Sequence, residues 1–312
     1  MLYSAHPAAR SAGEAAGLFS GLGKANGETV TPFSFVQLSD AHVGFNGPPD
    51  PLGTRAFERA VEMINGLPQR PDLVLFTGDL THDTEDRDVH VQRMKQFQQI
   101  SKRINVPIIK CVPGEHDAGL DSGALYREFF GETYYSFDHR GVHFIALDNV
   151  TRAKPEVGAQ QVAWLQKDLA RFPKTAPIVV FTHRPLFDLR PDWEWFTSDG
   201  DDVMNVLSAY ENLTVLYGHI HRDDEHQTGP VHHYAARSLI FAFPDPSGVA
   251  GPRKAVPFDK DHPFKNLGIR TVSFHGESES ASMPLSIQDV ELTAREFQGI
   301  NGVHQFLKEP VV

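Results

Sequence analysis

Five short clusters in the chain bring carboxylates and imidazoles beside small or turn-forming residues. They are Asp40 with His42, Gly78 with Asp79, the run Gly114, Glu115, His116, Asp117, then His183, then Gly218 with His219 and His221. Carboxylate and imidazole are the side chains that hold zinc, manganese or iron, whereas copper(I) and iron–sulfur clusters ask for thiolates. Imidazole also moves protons near neutral pH. The densest cluster follows directly on the apolar run Val106 to Val112, which is how the end of a strand presents polar side chains. Taken singly, each cluster reads as turn residues or satisfied core groups. As a series of five, mostly at the ends of apolar runs, they point to one shared site.

The elements that must position these residues are legible in the hydrophobic pattern. Residues 33–38 read as a buried strand ending at Ser39, Asp40, Ala41, His42. A loop with three prolines, 44–53, leads into a helix whose face is Leu52, Phe57, Ala60, Val61 and Ile64, closed by Pro68 and Pro71. A strand from Leu73 to Phe76, a helix near 88–104 with Met94, Phe97, Ile100 or Ser101, and Ile104 inward, and a strand from Pro107 to Val112 follow. Strand, loop and helix thus alternate three times, the pattern of stacked βαβ units, whose ligands gather beyond the carboxyl ends of the strands. A short helix near 122–130 precedes a hairpin of 134–138 and 142–147, and a helix over 158–172 leads to strand Ile178 to Phe181 and His183. A helix near 201–210 and strand Leu213 to Tyr217 then deliver Gly218 to His221. Beyond them, 231–243, 269–275 and 285–290 alternate like antiparallel strands of a second sheet.

Two long loops stand out. Segment 185–200 carries Trp193, Trp195 and Phe196 among prolines and acids, either folded back on the core or walling the substrate side. Segment 244–266 has five prolines and no periodicity and reads as a long loop with the character of a lid.

Bulk composition bounds the classes. A chain of 312 residues and 34.7 kDa with 40% hydrophobic residues supports a sizeable core. Its net charge of -11 offers no broad cationic surface for a nucleic-acid backbone, while a small phosphorylated substrate remains compatible because a metal supplies local positive charge. No stretch approaches the roughly 20 apolar residues of a membrane span. The single Cys111 cannot form an internal disulfide and reads as a buried strand residue, so cysteine usage does not report the compartment. Residues 1–28, rich in Ala, Gly and Ser, read as a flexible leader before one domain over 29–312. Such a leader fits a cytoplasmic start, or a periplasmic or exported protein whose signal has been removed.

In order and spacing the clusters resemble the calcineurin-like metallophosphoesterase superfamily, whose pattern is DxH, GD, GNH followed by D or E, H, and GHxH. The resemblance spans about residues 33–222. It implies an α/β fold, a four-layer αββα sandwich of two mixed sheets with outer helices. It also implies two divalent or mixed-valence metal ions, iron, manganese or zinc, acting on a phosphomonoester or phosphodiester. Carried over residue by residue, Asp40, His42, Asp79 and His221 would hold one ion and Asp79, Glu115, His183 and His219 the other, with Asp79 as the bridge. His116 would protonate the leaving group, and Asp117 would orient its ring. The departure is Glu115, where the family usually has Asn; the extra carboxylate predicts tighter retention of a trivalent ion and a less acidic bridging water. The purple branch carries a Tyr three residues after the GD aspartate. That position is His82 here, so no iron-tyrosinate chromophore is expected.

Other candidates are weaker. His82 and Asp83 stand near enough to Asp79 in sequence to touch substrate or back the ligands, and Arg184 could meet a phosphoryl oxygen or pair with the acidic loop. His139, His143, His226, His232, His233, His262 and His275 lack ligand spacing. The stretch GDLTHD (78–83) also matches the cyclic-nucleotide phosphodiesterase branch, an alternative activity. A non-catalytic metal-binding interaction protein is the alternative of another class, disfavoured because every ligand position is filled. Substrate, metal identity and oligomeric state are not encoded in these motifs.

Overall fold

The computed structural model describes residues 17–20, 31–275 and 282–293. In chain order its first half comprises β1 (Gly17–Ser20), β2 (Phe33–Leu38), α1 (Arg55–Asn65), β3 (Leu73–Thr77), α2 (Arg87–Ser101), β4 (Ile108–Val112), α3 (Glu115–Ala118) and α4 (Ala124–Phe130). The second half comprises β5 (Tyr135–His139), β6 (Val142–Ala146), α5 (Ala159–Leu169), β7 (Ile178–Phe181), α6 (Gly200–Leu207), β8 (Leu213–Tyr217), β9 (Asp224–Thr228), β10 (Val231–Ala235), β11 (Gly268–Phe274) and β12 (Ser282–Glu291).

Two mixed six-stranded sheets result, in the orders β1-β12-β11-β2-β3-β4 and β5-β6-β7-β8-β10-β9. Strict alternation along the strands sorts side chains into layers. In β2 and β3, Phe33, Phe35, Leu73 and Leu75 face the other sheet, where they meet Phe144, Val179 and Phe181. Their neighbours Val36, Leu38, Val74 and Phe76 face Phe57 of α1, Phe97 of α2 and Tyr126 of α4. On the far side, Ile178, Val180 and Val215 pack against Leu165, Leu169, Val203 and Leu207 of α5 and α6. Helix, sheet, sheet, helix is the four-layer αββα sandwich that the resemblance implies. β3, β6 and β8 are buried at every position, which is why apolar residues dominate them, with Thr77, His143 and Thr214 as buried polar exceptions.

Three expectations change. Segments 269–275 and 285–290 are antiparallel strands, but of the first sheet: β11 pairs with β2, and β12 with β11. Alternation identifies an antiparallel strand without saying whose edge it joins. Here Phe274 stacks on Phe33 at 4.6 Å, so β11 completes the layer between the sheets beside β2. Only 231–235 of the expected strand 231–243 is regular, as β10, and its partner β9, Asp-Glu-His-Gln-Thr, offers no apolar signal. Within the expected leader, Gly17–Ser20 are strand β1, antiparallel to β12, rather than free chain.

Candidate metal centre

The clusters converge because the loops after neighbouring strands run on side by side. Past the tips of β2 and β3, the amides of Asp40, His42 and Val43 donate to the carbonyls of Gly78, Asp79 and Leu80 at 3.1, 2.9 and 3.1 Å. After β8, the Gly218 amide donates to the His183 carbonyl at 2.9 Å, and the His219 amide reaches the Asp40 carboxylate. Asp40, His42, Asp79, His219 and His221 all have left-handed backbones, with φ of 54, 40, 49, 66 and 53°. Such conformations cost about 1–3 kcal/mol each in a residue with a Cβ, so the surrounding structure must impose them. Two glycines permit the close approach: a Cβ on Gly114 would land on the Asp79 carboxylate, and one on Gly78, whose φ is 96°, on the His183 ring.

Two groups of potential ligand atoms form. Asp40, His42, Asp79 and His221 are all buried and present one atom each within 4.8 Å of one another, as do Glu115, His183 and His219. One atom joins the groups: Asp79 Oδ2 lies 3.3 Å from His42 Nε2 and 3.4 Å from His183 Nε2. Hydrogen bonding fixes which nitrogens face inward. His183 Nδ1 donates to the Thr77 carbonyl (2.7 Å), His221 Nδ1 to that of Phe241 (2.8 Å) and His219 Nε2 to that of Glu194 (3.1 Å). In neutral rings the other nitrogens are then lone pairs. They face Glu115 at 2.8 Å from His183 and 2.8 Å from His219, and His42 Nε2 at 3.1 Å from His221. Glu115 Oε2 and His183 Nε2 are moreover buried without a hydrogen-bond partner. Lone pairs pointed at carboxylates and at each other, away from water, are an arrangement that a cation between them satisfies. Residues and metal fit. Burial disfavours a charged His183, yet the Asp79 and Glu115 carboxylates outweigh it and hold its pKa well above the usual range; the cluster draws in positive charge.

Beside the groups, His116 places Nε2 3.9 Å from Asp79 Oδ2 and Nδ1 2.7 Å from Asp83 Oδ1. Burial opposes the charged ring, but Asp79 and the bond to Asp83 push His116 up to about 9. His82, next to it, is pushed down to about 4 by burial and then by His116.

The calcineurin-like phosphoesterase profile matches residues 33–223. The chain belongs to that family. It is a hydrolase of phosphoric esters with a candidate metal-binding cluster. Relatives include a probable glycerophosphodiester phosphodiesterase of Arcobacter nitrofigilis, 28% identical over 206 residues that cover 60% of this chain and 71% of that one. A serine/threonine-protein phosphatase of Mus musculus is 29% identical over 227 residues, 62% of this chain and 70% of that one. Among solved structures, a dimetal phosphatase from Danio rerio matches with a TM-score of 0.58 over 85% of this chain and 99% of that one. At 13% identity that likeness carries the fold alone.

Of the site residues named from sequence, this phosphoesterase brings together Asp40, His42, Asp79, Glu115, His116, His183, His219 and His221. Asp117 is the exception. Its carboxylate accepts from the amides of Leu80, Thr81 and Gly114 at 2.9, 2.8 and 2.9 Å and from the Thr81 hydroxyl at 2.9 Å, all away from the His116 ring. At the third position of α3 its side chain turns back into the helix start, while His116 one residue earlier points outward. The partner of His116 is therefore Asp83, and Asp117 locks the loop after β3 to the loop after β4. Changing Asp117→Ala strands these donors and should lower stability by about 3 kcal/mol or more, read as a fall in the urea midpoint. A 100-fold loss of kcat with unchanged stability would instead restore Asp117 as the orienting group.

Arg184 is buried and reaches the 185–200 loop, though through a backbone carbonyl rather than an acidic side chain, and also stands beside Glu115. Nη2 lies 3.4 Å from Glu115 Oε1, and Nη1 donates to the Glu194 carbonyl at 2.8 Å. The 185–200 loop is folded on the core, with Trp193 and Trp195 buried against Tyr217 and Ile220, and through Glu194 it also orients His219. Arg190 and Trp193 hold 244–266 in turn, donating to the carbonyls of Pro246, Val249 and Gly251. The carbonyls of Thr77, Glu194 and Phe241 were missed by sequence reasoning, since a backbone oxygen has no residue signature. Asp83 had one, its place four residues after Asp79.

Proposed function

We propose that the chain is a binuclear metal phosphoesterase of small phosphomonoesters or phosphodiesters. Asp40, His42, Asp79 and His221 would hold one ion, and Asp79, Glu115, His183 and His219 the other. The observation that carries this reading is the single atom Asp79 Oδ2, 3.3 and 3.4 Å from one imidazole of each group. Bound there, two divalent or mixed-valence ions of iron, manganese or zinc supply Lewis acidity, an activated water and charge neutralisation for an in-line displacement. The chain's own residues do the rest. His116, held at Nδ1 by Asp83, presents Nε2 toward the centre and protonates the departing alkoxide. Arg184 beside Glu115 offsets part of the charge that this carboxylate adds where the family usually has Asn, which moderates the preference for a trivalent ion. The relatives act, by name, on a glycerophosphodiester and on phosphoprotein, so their names support both ester classes.

The test is a side-by-side assay of p-nitrophenyl phosphate, bis-p-nitrophenyl phosphate and cyclic AMP, with metal analysis of the freshly purified protein. Activity on at least one ester, abolished by a chelator and restored by manganese, zinc or iron, is expected. Protein loaded with two equivalents yet inert on every ester would point to the non-catalytic alternative. Turnover confined to cyclic AMP would select the cyclic-nucleotide phosphodiesterase.

A further inference from the structure

Three of the four imidazoles in the two groups are aimed by backbone carbonyls, those of Thr77, Glu194 and Phe241. The fourth, His42, differs. Among the described residues its Nδ1 has no carbonyl partner; 3.3 Å away stands Nδ1 of another imidazole, His82. We propose that His82 is the positioning residue of His42, accepting its Nδ1–H and so aiming the Nε2 lone pair into the group of Asp40, Asp79 and His221. The proposal rests on the binuclear reading above.

The hydrogen inventory carries it. With an ion held between His42 Nε2, Asp79 Oδ2 at 3.3 Å and His221 Nε2 at 3.1 Å, as the binuclear reading has it, Nε2 offers its lone pair and the ring's own proton belongs on Nδ1. An imidazole that accepts at Nδ1 keeps its own proton on Nε2, and 3.5 Å from His82 Nε2 stands Asp83 Oδ1. That oxygen is also the acceptor for His116 Nδ1. One dipeptide, His82 and Asp83, thus backs a metal-facing imidazole with its first side chain and the proton donor with its second.

The dipeptide is itself held. His82 stacks on His116 with centroids 4.8 Å apart and planes 20° from parallel, and meets the Phe45 ring edge-on at 5.0 Å. The carbonyls of His82 and Asp83 both accept from Arg93 Nη1 of α2, at 2.9 and 2.6 Å. Outer partners of metal-bound imidazoles fix ring orientation, and losing one typically costs about 10–100-fold in metal affinity. An imidazole partner suits this role as well as a carbonyl provided that it stays an acceptor.

The experiment compares wild type with His82→Phe, which keeps a flat ring without an acceptor, and His82→Gln, whose amide oxygen can accept. Each metal-depleted protein is titrated with zinc against a chromophoric chelator, alongside a thermal melt of the metal-free form. Two binding steps are expected in wild type. His82→Phe should weaken one of them by about 10–100-fold and leave the other alone, while His82→Gln stays within about threefold of wild type at both. Unchanged binding in His82→Phe overturns the inference. So does an equal loss in His82→Gln, which would make ring shape the requirement, and so does a third equivalent in wild type that His82→Phe loses, which would make His82 a ligand. Wild type that takes up no zinc sinks the binuclear reading and this inference together; two equivalents bound with the same affinities in wild type and in His82→Phe sink only the inference.

Discussion

Replacing Asp79 with Asn is expected to lower turnover by about 1000-fold or more, roughly 4 kcal/mol of barrier, and to cut bound metal from two equivalents to one at most. The reason is that Asp79 serves both groups with one oxygen, Oδ2, while Oδ1 accepts from the His116 amide at 3.0 Å. An amide at this place is neutral and has only one acceptor atom, so it can satisfy the His116 amide or the centre, but not both. Residues that contribute to one group alone, such as His221 or His219, should show the smaller loss of one equivalent. Metal analysis and steady-state kinetics on the same preparation check this. Asp79→Asn protein that keeps two equivalents and near-normal turnover would refute the shared-ligand reading.

His116→Ala should lose about 100- to 10,000-fold in kcat on an alkyl phosphoester with metal content unchanged. The loss should be far smaller on p-nitrophenyl phosphate, because nitrophenolate departs without needing a proton. Asp83→Asn should fall between, by about tenfold, since the amide can still accept from His116 Nδ1 but no longer favours the charged ring. The dependence of rate on leaving-group basicity discriminates: a uniform loss across esters would make His116 a binding residue rather than a proton donor.

The contrast between Asp83 and Asp117 shows where sequence reasoning stops. Both are carboxylates within a few residues of a motif, and adjacency favours Asp117 as the partner of His116. Yet neighbours in a short helix point in different directions, so Asp117 turns inward to four donors of the paired loops while a residue 33 positions away supplies the bond. The sheets divide likewise. Short, mainly apolar runs made β2, β3, β4, β7 and β8 legible almost to the residue, because strands inside layered sheets are mostly apolar. β9 stayed hidden because an edge strand with solvent on one side needs no apolar run, and β11 and β12 were readable as strands but not as members of the first sheet.

The sequence by itself determined the layered α/β class, the order of the polar clusters and the eight residues that meet at the centre. Each of these depends on local periodicity, or on a turn that only certain residues tolerate. The tertiary structure alone decided which oxygen the two groups share, which carbonyl or ring aims each imidazole, and that Arg184 stands beside Glu115. Those are contacts between atoms many tens of residues apart, several of them backbone oxygens common to every residue type. Only the packing of one loop against another selects them.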